Sequence, residues 1–270
     1  MMRSRAVLLS LVVSMAFIVA SCGGDDGDDG DGQGSALPLK EQGVLTVGSN
    51  VAFAPFEYLE AGEPVGFDID IAQEIADRMG LELEIVDNPS FDALIPAIQD
   101  GQYDIVISAV TILPDRAEVI DFSEPYIDAD QGLVINLEET PDFTSSADLT
   151  SDMVLGAQRN TTSSSYAEEN FADQVAEIRL FDQTPEALAD LAVARIQAVV
   201  ADFPAAAFAT QTEYQGQLAV VERLTTGEQY GIVVSQDTPE ILNEVNRILA
   251  EMMDDGTYDN IFAKWFGEAP

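Results

Sequence analysis

LIPAIQDGQYDIVISAVTILPDRAEVIDFSEPY, residues 94–126, reads as a helix, a turn, a buried strand and a second helix start, the alternation from which α/β folds are built. Ile98 ends an amphipathic helix and Asp100 and Gly101 supply the turn. Tyr103 to Val110 is a near-continuous apolar run, as in strands buried on both faces. Pro114 marks the next helix start. In its first turn the positive end of the helix dipole favours Asp115 and Glu118, whereas Arg116 stands against it and calls for an anion. Ser108 and Thr111 sit where the strand emerges, and in open parallel sheets ligands bind beyond the carboxyl ends of strands. The plainer alternative for Arg116 is a surface ion pair with Asp115 or Asp121.

The same alternation spreads outward from this stretch. VLTVGS (44–49) is a strand, GFDIDIAQEIADRMG (66–80) is a helix with Ile71, Ile75 and Met79 on one face and Gly80 as its stop, and LELEIV (81–86) is a half-exposed strand. After Gly132 a second set begins: VLGAQ (154–158), the helix PEALADLAVA (185–194), the strand IQAVVAD (196–202) and a helix from Pro204. Two α/β lobes follow, and 270 residues with 47% hydrophobic content suffice for a core in each.

The formal charge is −38, from 11 basic and 49 acidic residues, which argues against nucleic acid as a partner. Such an excess suits a surrounding of high ionic strength, with general solubility as the alternative. The chain has no histidine, so Ser-His catalysis, histidine-ligated zinc and an imidazole base are excluded. It also has no GxxxxGK[ST] loop, so any ATP hydrolysis belongs to a partner. No metal site and no cofactor are expected.

Residues 1–21 read as an export signal: MMRSR is a positive start, Ala6 to Ala20 a mostly apolar core too short for a spanning helix, and Ala20 and Ser21 are small residues before Cys22. Cys22 is the only cysteine, so no intramolecular disulfide forms. GGDDGDDGDGQGS after it cannot form a core, and residues 22–42 read as a solvated, self-repelling tether. Alternating Asp and Gly raise the alternative of a calcium loop, but no register supplies both the spaced acids and the closing glutamate of an EF-hand.

Taken with NVAFAPFEY (50–58), NPSFDALIPA (88–97), GAQRNTTSSSY (156–166) and IQAVVADFPAA (196–206), residues 94–126 resemble the signature of bacterial extracellular solute-binding proteins, family 3, the receptors of amino-acid ABC importers. The resemblance runs through most of the chain. It implies a two-lobed periplasmic-binding-protein (Venus-flytrap) fold of type II with a hinge of two crossing strands, near 131–136 and 221–230. Lobe 1 is then formed by 43–132 and 226–270, and lobe 2 by 133–225. VASC followed by Gly23 resembles a bacterial lipobox, implying cleavage before Cys22 and lipid attachment to it, with more than one acyl chain needed for stable anchoring. The resemblance thus implies an exported protein anchored to the outer face of the cell membrane, or periplasmic where two membranes are present. It is expected to be a monomer that docks on a membrane permease.

The family's ligand residues carry over position by position. Phe53 and Phe91 match aromatics that face the ligand, with core packing as the alternative for each and the preferred reading for Phe56. Arg116 matches a carboxylate-binding arginine, whose planar fork fits a carboxylate bidentately. Thr111 matches a position that also meets the head group, with the carbonyl of Ala109 nearby. Thr161 and Thr162 match a loop usually written GTT, in which Asn160 here replaces the glycine. Asp202 matches the aspartate that takes the ligand's ammonium, with helix capping before Pro204 as the alternative. Gln197 and Ala194 depart from an aspartate and a glycine and are not expected to touch ligand.

With Arg116 in one lobe and Asp202 in the other, a zwitterionic amino acid is gripped by both only when the lobes close. Asn50 stands where members binding basic or amide side chains often carry aspartate, and the loss of that charge argues against lysine, arginine or ornithine; a polar neutral amino acid such as glutamine is the first choice. Glutamate would want a further cation, and Arg78 and Arg159 are the remote candidates. Two other classes compete: a prephenate or arogenate dehydratase on the same fold, and a sensory ligand-binding module, the latter disfavoured because the chain stops at Pro270 just after KWFG.

Overall fold

Two five-stranded sheets with the same layout carry the chain, and a computed structural model describes residues 37–267 of it. The expected export signal at 1–21, the expected lipid attachment at Cys22 and the part of the expected 22–42 tether up to residue 36 lie outside the described residues. In the first sheet Glu82–Asp87, Val44–Ser49 and Ile105–Val106 run parallel, and Val233–Val234 lies antiparallel between Ile105–Val106 and Asp121–Phe122. In the second, Glu177–Phe181, Val154–Gln158 and Ala198–Asp202 run parallel, and Gln131–Asn136 lies antiparallel between Ala198–Asp202 and Leu218–Leu224.

Each sheet is covered on both faces, as its near-continuous apolar strands require. The period of two sorts the side chains of the second sheet: Leu133, Ile135, Ala198 and Val200 face the Thr162–Phe171 helix, while Val134, Val199 and Ala201 face Thr184–Ala192 and Phe203–Gln211. On the first sheet the helix Phe67–Met79 buries Ile71, Ala72, Ile75 and Ala76, and packs with Pro239–Asp254 and Thr257–Phe266 on one face. Leu94–Gln99 covers the other face. Between the lobes, Ile127–Asp128 pairs antiparallel with Gln229–Tyr230, where the chain leaves the first lobe and returns to it.

Three local features differ from the sequence reading. Residues 103–111 are all buried, yet only Ile105–Val106 keep ladder geometry. Asp104 is diverted to accept the N–H groups of Lys40 (2.6 Å) and Thr46 (2.8 Å), and Ala109 bends out of the strand with φ 49°. The helix at Pro114 is a single turn, Pro114–Ala117, too short for a macrodipole to decide where Arg116 lies. Asp202 precedes the Phe203–Gln211 helix but makes no capping hydrogen bond with its side chain, which it uses elsewhere.

Candidate functional site

The carboxyl ends of the parallel strands in the two sheets face one another, and a cavity forms between them. Asn50, Phe53, Glu57, Phe91, Ser108, Ala109, Thr111 and Arg116 line it from the first lobe, and Gln158, Thr161, Thr162 and Asp202 from the second. All nine residues that the resemblance singled out as ligand contacts therefore lie around one space. That space is about 30 Å3, room for roughly two water molecules. Asn160 Nδ2 donates to Asp92 Oδ2 (3.0 Å) and Gln183 Nε2 to the Pro89 carbonyl (3.0 Å), closing the mouth from lobe to lobe.

Arg116 is held by its own segment. One Nη1–H donates to the Thr111 carbonyl at 2.9 Å, and the guanidinium lies over the Phe91 ring, 5.6 Å from its centroid. Neither Asp115 nor Asp121 pairs with it, and among the described residues it makes no ion pair at all. Burial lowers its pKa from the ordinary arginine value, against the opposing pull of Asp202, Glu228 and Tyr230. Four of the five donor hydrogens of this half-buried fork have no partner among the described residues.

Asp202 is buried and nearly saturated. Oδ1 accepts from Gln131 Nε2 (2.6 Å) and from Ser163 Oγ (3.1 Å), whose one hydroxyl proton is shared with Gln131 Oε1 (2.7 Å), and Oδ2 accepts from the Tyr230 hydroxyl. A carboxylate offers about four lone-pair sites, so one on Oδ2 remains. Burial raises the Asp202 pKa, which these donors and the charge of Arg116 oppose. Glu228 lies beside it, accepts from Gln131 Nε2 (3.0 Å), and is likewise raised by burial.

Asn160 takes the left-handed conformation (φ 59°) that glycine takes most easily, and so does Ala194 (φ 59°), the other position where the family pattern has glycine. Thr161 caps the Thr162–Phe171 helix, with Ser164 N–H donating to its Oγ1 at 3.3 Å, and as first helical residue Thr162 keeps an amide without an intrahelical acceptor. Asn50 donates Nδ2 to the Asn88 carbonyl (2.8 Å), so its Oδ1 is the free end. Phe53 stacks on the fully buried Phe56 (5.8 Å, 15°). Arg78 and Arg159 do not reach the cavity: Arg78 binds Glu74 and Asp255, and Arg159 binds Asp182 at 2.9 Å.

Sequence reasoning missed Glu57 and Gln158 in the lining, and Gln131, Ser163, Tyr230 and Asp68 behind it. Asp68 left a readable signal. It falls with Ala72, Ile75 and Met79 on the apolar stripe of its helix, where an acid needs an explanation.

The four buried or half-buried acids around the cavity have a measurable consequence. Burial raises the pKa of Glu57, Asp68 (to about 6), Asp202 and Glu228. A raised carboxyl binds its proton more tightly folded than unfolded, so its stabilising contribution is full below the unfolded value and is lost as pH rises through the folded one. Asp130 runs the other way: despite partial burial, the Gly227 and Thr226 amides and Arg223 hold it low, so its contribution is lost only below about pH 4. Calorimetry is expected to give a melting temperature at pH 5 at least about 3 °C above that at pH 7.5, the effect of roughly 1 kcal/mol in a domain of this size. A melting temperature that falls between pH 7.5 and pH 5 would contradict the burial of these charges.

A family model for bacterial extracellular solute-binding proteins, family 3, matches residues 45–268. The chain belongs to that family. Over 230 residues this family 3 solute-binding protein is 33% identical to ABC transporter arginine-binding protein 1 of Escherichia coli, covering 82% of the chain and 90% of that relative. Among solved structures, an ancestral arginine-binding protein bound to glutamine is 37% identical, with 84% of this chain and 100% of that one aligned at a TM-score of 0.77. The ancestral amino acid-binding protein AncCDT-1, described as a precursor of cyclohexadienyl dehydratase, is 36% identical over 83% of this chain and 96% of its own, also at 0.77. The two-lobed type II fold of this solute-binding protein is therefore shown. Among its described residues no helix is long and apolar enough to cross a membrane, and no three or more Cys, Asp or Glu side chains are grouped to hold a metal ion.

Proposed function

We propose that this protein binds a polar α-amino acid outside the cytoplasm, with glutamine as first choice, and delivers it to an ABC-type permease by closing its lobes on it. One observation carries the reading. Arg116 offers an unpaired cationic fork from one lobe, and Asp202 offers one remaining lone pair from the other, the complement of a carboxylate and an ammonium on a single carbon. A ligand bound by both lobes has more affinity for the closed than for the open form, which is what shifts a hinge. Asn50 Oδ1 supports a side chain with hydrogen-bond donors, and the remoteness of Arg78 and Arg159 disfavours glutamate. Attachment of lipid at Cys22 and a monomeric state belong to the same proposal.

The competing reading is a dehydratase of prephenate or arogenate. A buried acid that lines the cavity and keeps its proton, Glu57, favours it. A thermal-shift screen of the full chain against the common amino acids, prephenate and arogenate separates the two. A ligand bound only by the folded state stabilises by about 2.7 kcal/mol at a hundredfold its Kd. The expected result is a shift by one or a few L-amino acids that Asp202→Ala removes. No shift by any amino acid, or turnover of prephenate or arogenate, overturns the receptor reading.

A further inference from the structure

Two acids are buried together under the cavity floor. Glu57 is 1% exposed and Asp68 0%, and neither has a cationic partner among the described residues. Asp68 Oδ2 accepts the Ala109 N–H (2.8 Å) and the Tyr126 hydroxyl (2.9 Å). Glu57 Oε1 accepts the Ser108 hydroxyl (2.8 Å), while Oε2 is buried with no donor. Ser108 Oγ in turn accepts the Asn50 N–H at 3.0 Å. The two carboxyl groups are held by adjacent residues of one segment, Glu57 by the Ser108 hydroxyl and Asp68 by the Ala109 N–H. Two buried negative charges this close without a cation are costly, and one proton on Glu57 removes one of them. Burial, followed by the charge of Asp68, keeps that proton on Glu57 well above the usual carboxylate range. Asp68 lies in the first turn of the Phe67–Met79 helix, whose N-terminal end favours the remaining charge there.

The charged member of the pair holds a strained residue. Ala109 is in the left-handed region (φ 49°), where a side chain is disfavoured, and its amide is tied to Asp68. Its carbonyl accepts no hydrogen bond from the described residues, and the residue lines the cavity just before Thr111 and Arg116. We infer that Asp68, backed by Glu57, is a positioning residue for the head-group site: it clamps the Ala109 amide so that the Ala109 carbonyl faces the ligand as an acceptor for its ammonium. The assignment rests on the amino-acid reading above. Asp68 touches no ligand itself; it acts through Ala109.

The test uses backbone NMR and calorimetry on the purified full chain. The Ala109 amide proton is expected at low field at neutral pH. It should move upfield in Asp68→Asn and, in the wild type, as pH is lowered through about 6, where Asp68 takes its proton. The other titratable groups near the pair are Tyr126, Tyr230, Tyr258 and Asp202. Asp202 is the one carboxyl among these four, so an Asp202→Asn control must leave the Ala109 response in place. Asp68→Asn is expected to weaken amino-acid binding by about tenfold without lowering the melting temperature, since a buried charge is removed. A merely structural network predicts the reverse split, with stability lost and affinity kept. The inference is overturned by an Ala109 amide that neither titrates nor responds to Asp68→Asn, or by Asp68→Asn that binds within twofold of the wild type. Should Asp68→Asn not fold, the wild-type titration decides alone. Should the wild type bind no amino acid, the receptor reading fails, while the Ala109 response still decides whether the clamp exists.

Discussion

Replacing Arg116 with alanine is expected to abolish amino-acid binding, raising the Kd at least about 100-fold, because truncating one partner of a desolvated charge pair costs on the order of 3 kcal/mol. The guanidinium has no carboxylate of its own in the closed cavity, so nothing in the protein competes for its fork and nothing replaces it. Arg116→Lys should not rescue binding: an ammonium on a flexible stem lacks the planar, bidentate donor set and cannot lie over Phe91 while donating to Thr111 in the same way. The empty protein should lose little stability in either variant, since Arg116 makes no ion pair among the described residues. Isothermal titration with the amino acid that gives the largest thermal shift provides the number. Binding by Arg116→Ala within tenfold of the wild type would show that the carboxylate is held elsewhere.

Gly66→Ala is expected to be the most damaging single-methyl substitution in the first lobe. Gly66 has φ 143° and ψ 175°, a region open essentially to glycine alone, and a Cβ there would lie 2.0 Å from the Phe56 carbonyl oxygen and 2.4 Å from its carbon. These are backbone atoms and cannot swing aside. Phe67 N–H donates to the Pro55 carbonyl and Asp68 N–H to the Phe56 carbonyl, both at 2.9 Å, so the helix start is fastened to the segment that the methyl would push away. The strain of the backbone region alone costs roughly 1–3 kcal/mol, and relieving the overlap adds to it. A fall in melting temperature of about 10 °C or more, or failure to fold, should follow, at about 2–4 °C per kcal/mol in a domain of this size. Gly62→Ala is the control: φ is 92° but nothing lies within 4 Å of its Cβ, so it should cost only about 1 kcal/mol. Equal melting temperatures for the two variants would mean that the Phe56–Gly66 approach is not as close as described.

Much of this was legible from residue pattern because local physics and tertiary structure agree. Helix 67–79 is written by its apolar spacing and by Gly80, which takes the left-handed cap that ends it. Arg116 was legible as a cation in need of an anion, although the reason given, a helix dipole, dissolves in a one-turn helix. Asp202 shows the limit of local reasoning. Its place before Pro204 is that of a capping residue, yet its oxygens are taken by Gln131, Ser163 and Tyr230, which are distant in sequence. No local pattern announces such partners. The same holds for Glu57, whose meaning depends on Asp68 and Ser108 arriving from two other elements. The strand at 103–110 was read too long because hydrophobicity reports burial, and burial persists where the backbone has already left the ladder.

The antiparallel strand inserted in each sheet also sets an order of assembly. Everything the second sheet needs lies between residues 131 and 224, one continuous run. The first sheet is missing its fourth member until Val233–Val234 pairs with Ile105–Val106, about 130 residues away along the chain. Closing so large a loop is slow, and until it happens Ile105–Val106 and Asp121–Phe122 have unpaired edges that invite the wrong partner. The lobe that begins first is therefore expected to be sealed last, with the stretch that carries Arg116 only half enclosed until Val233–Val234 arrives.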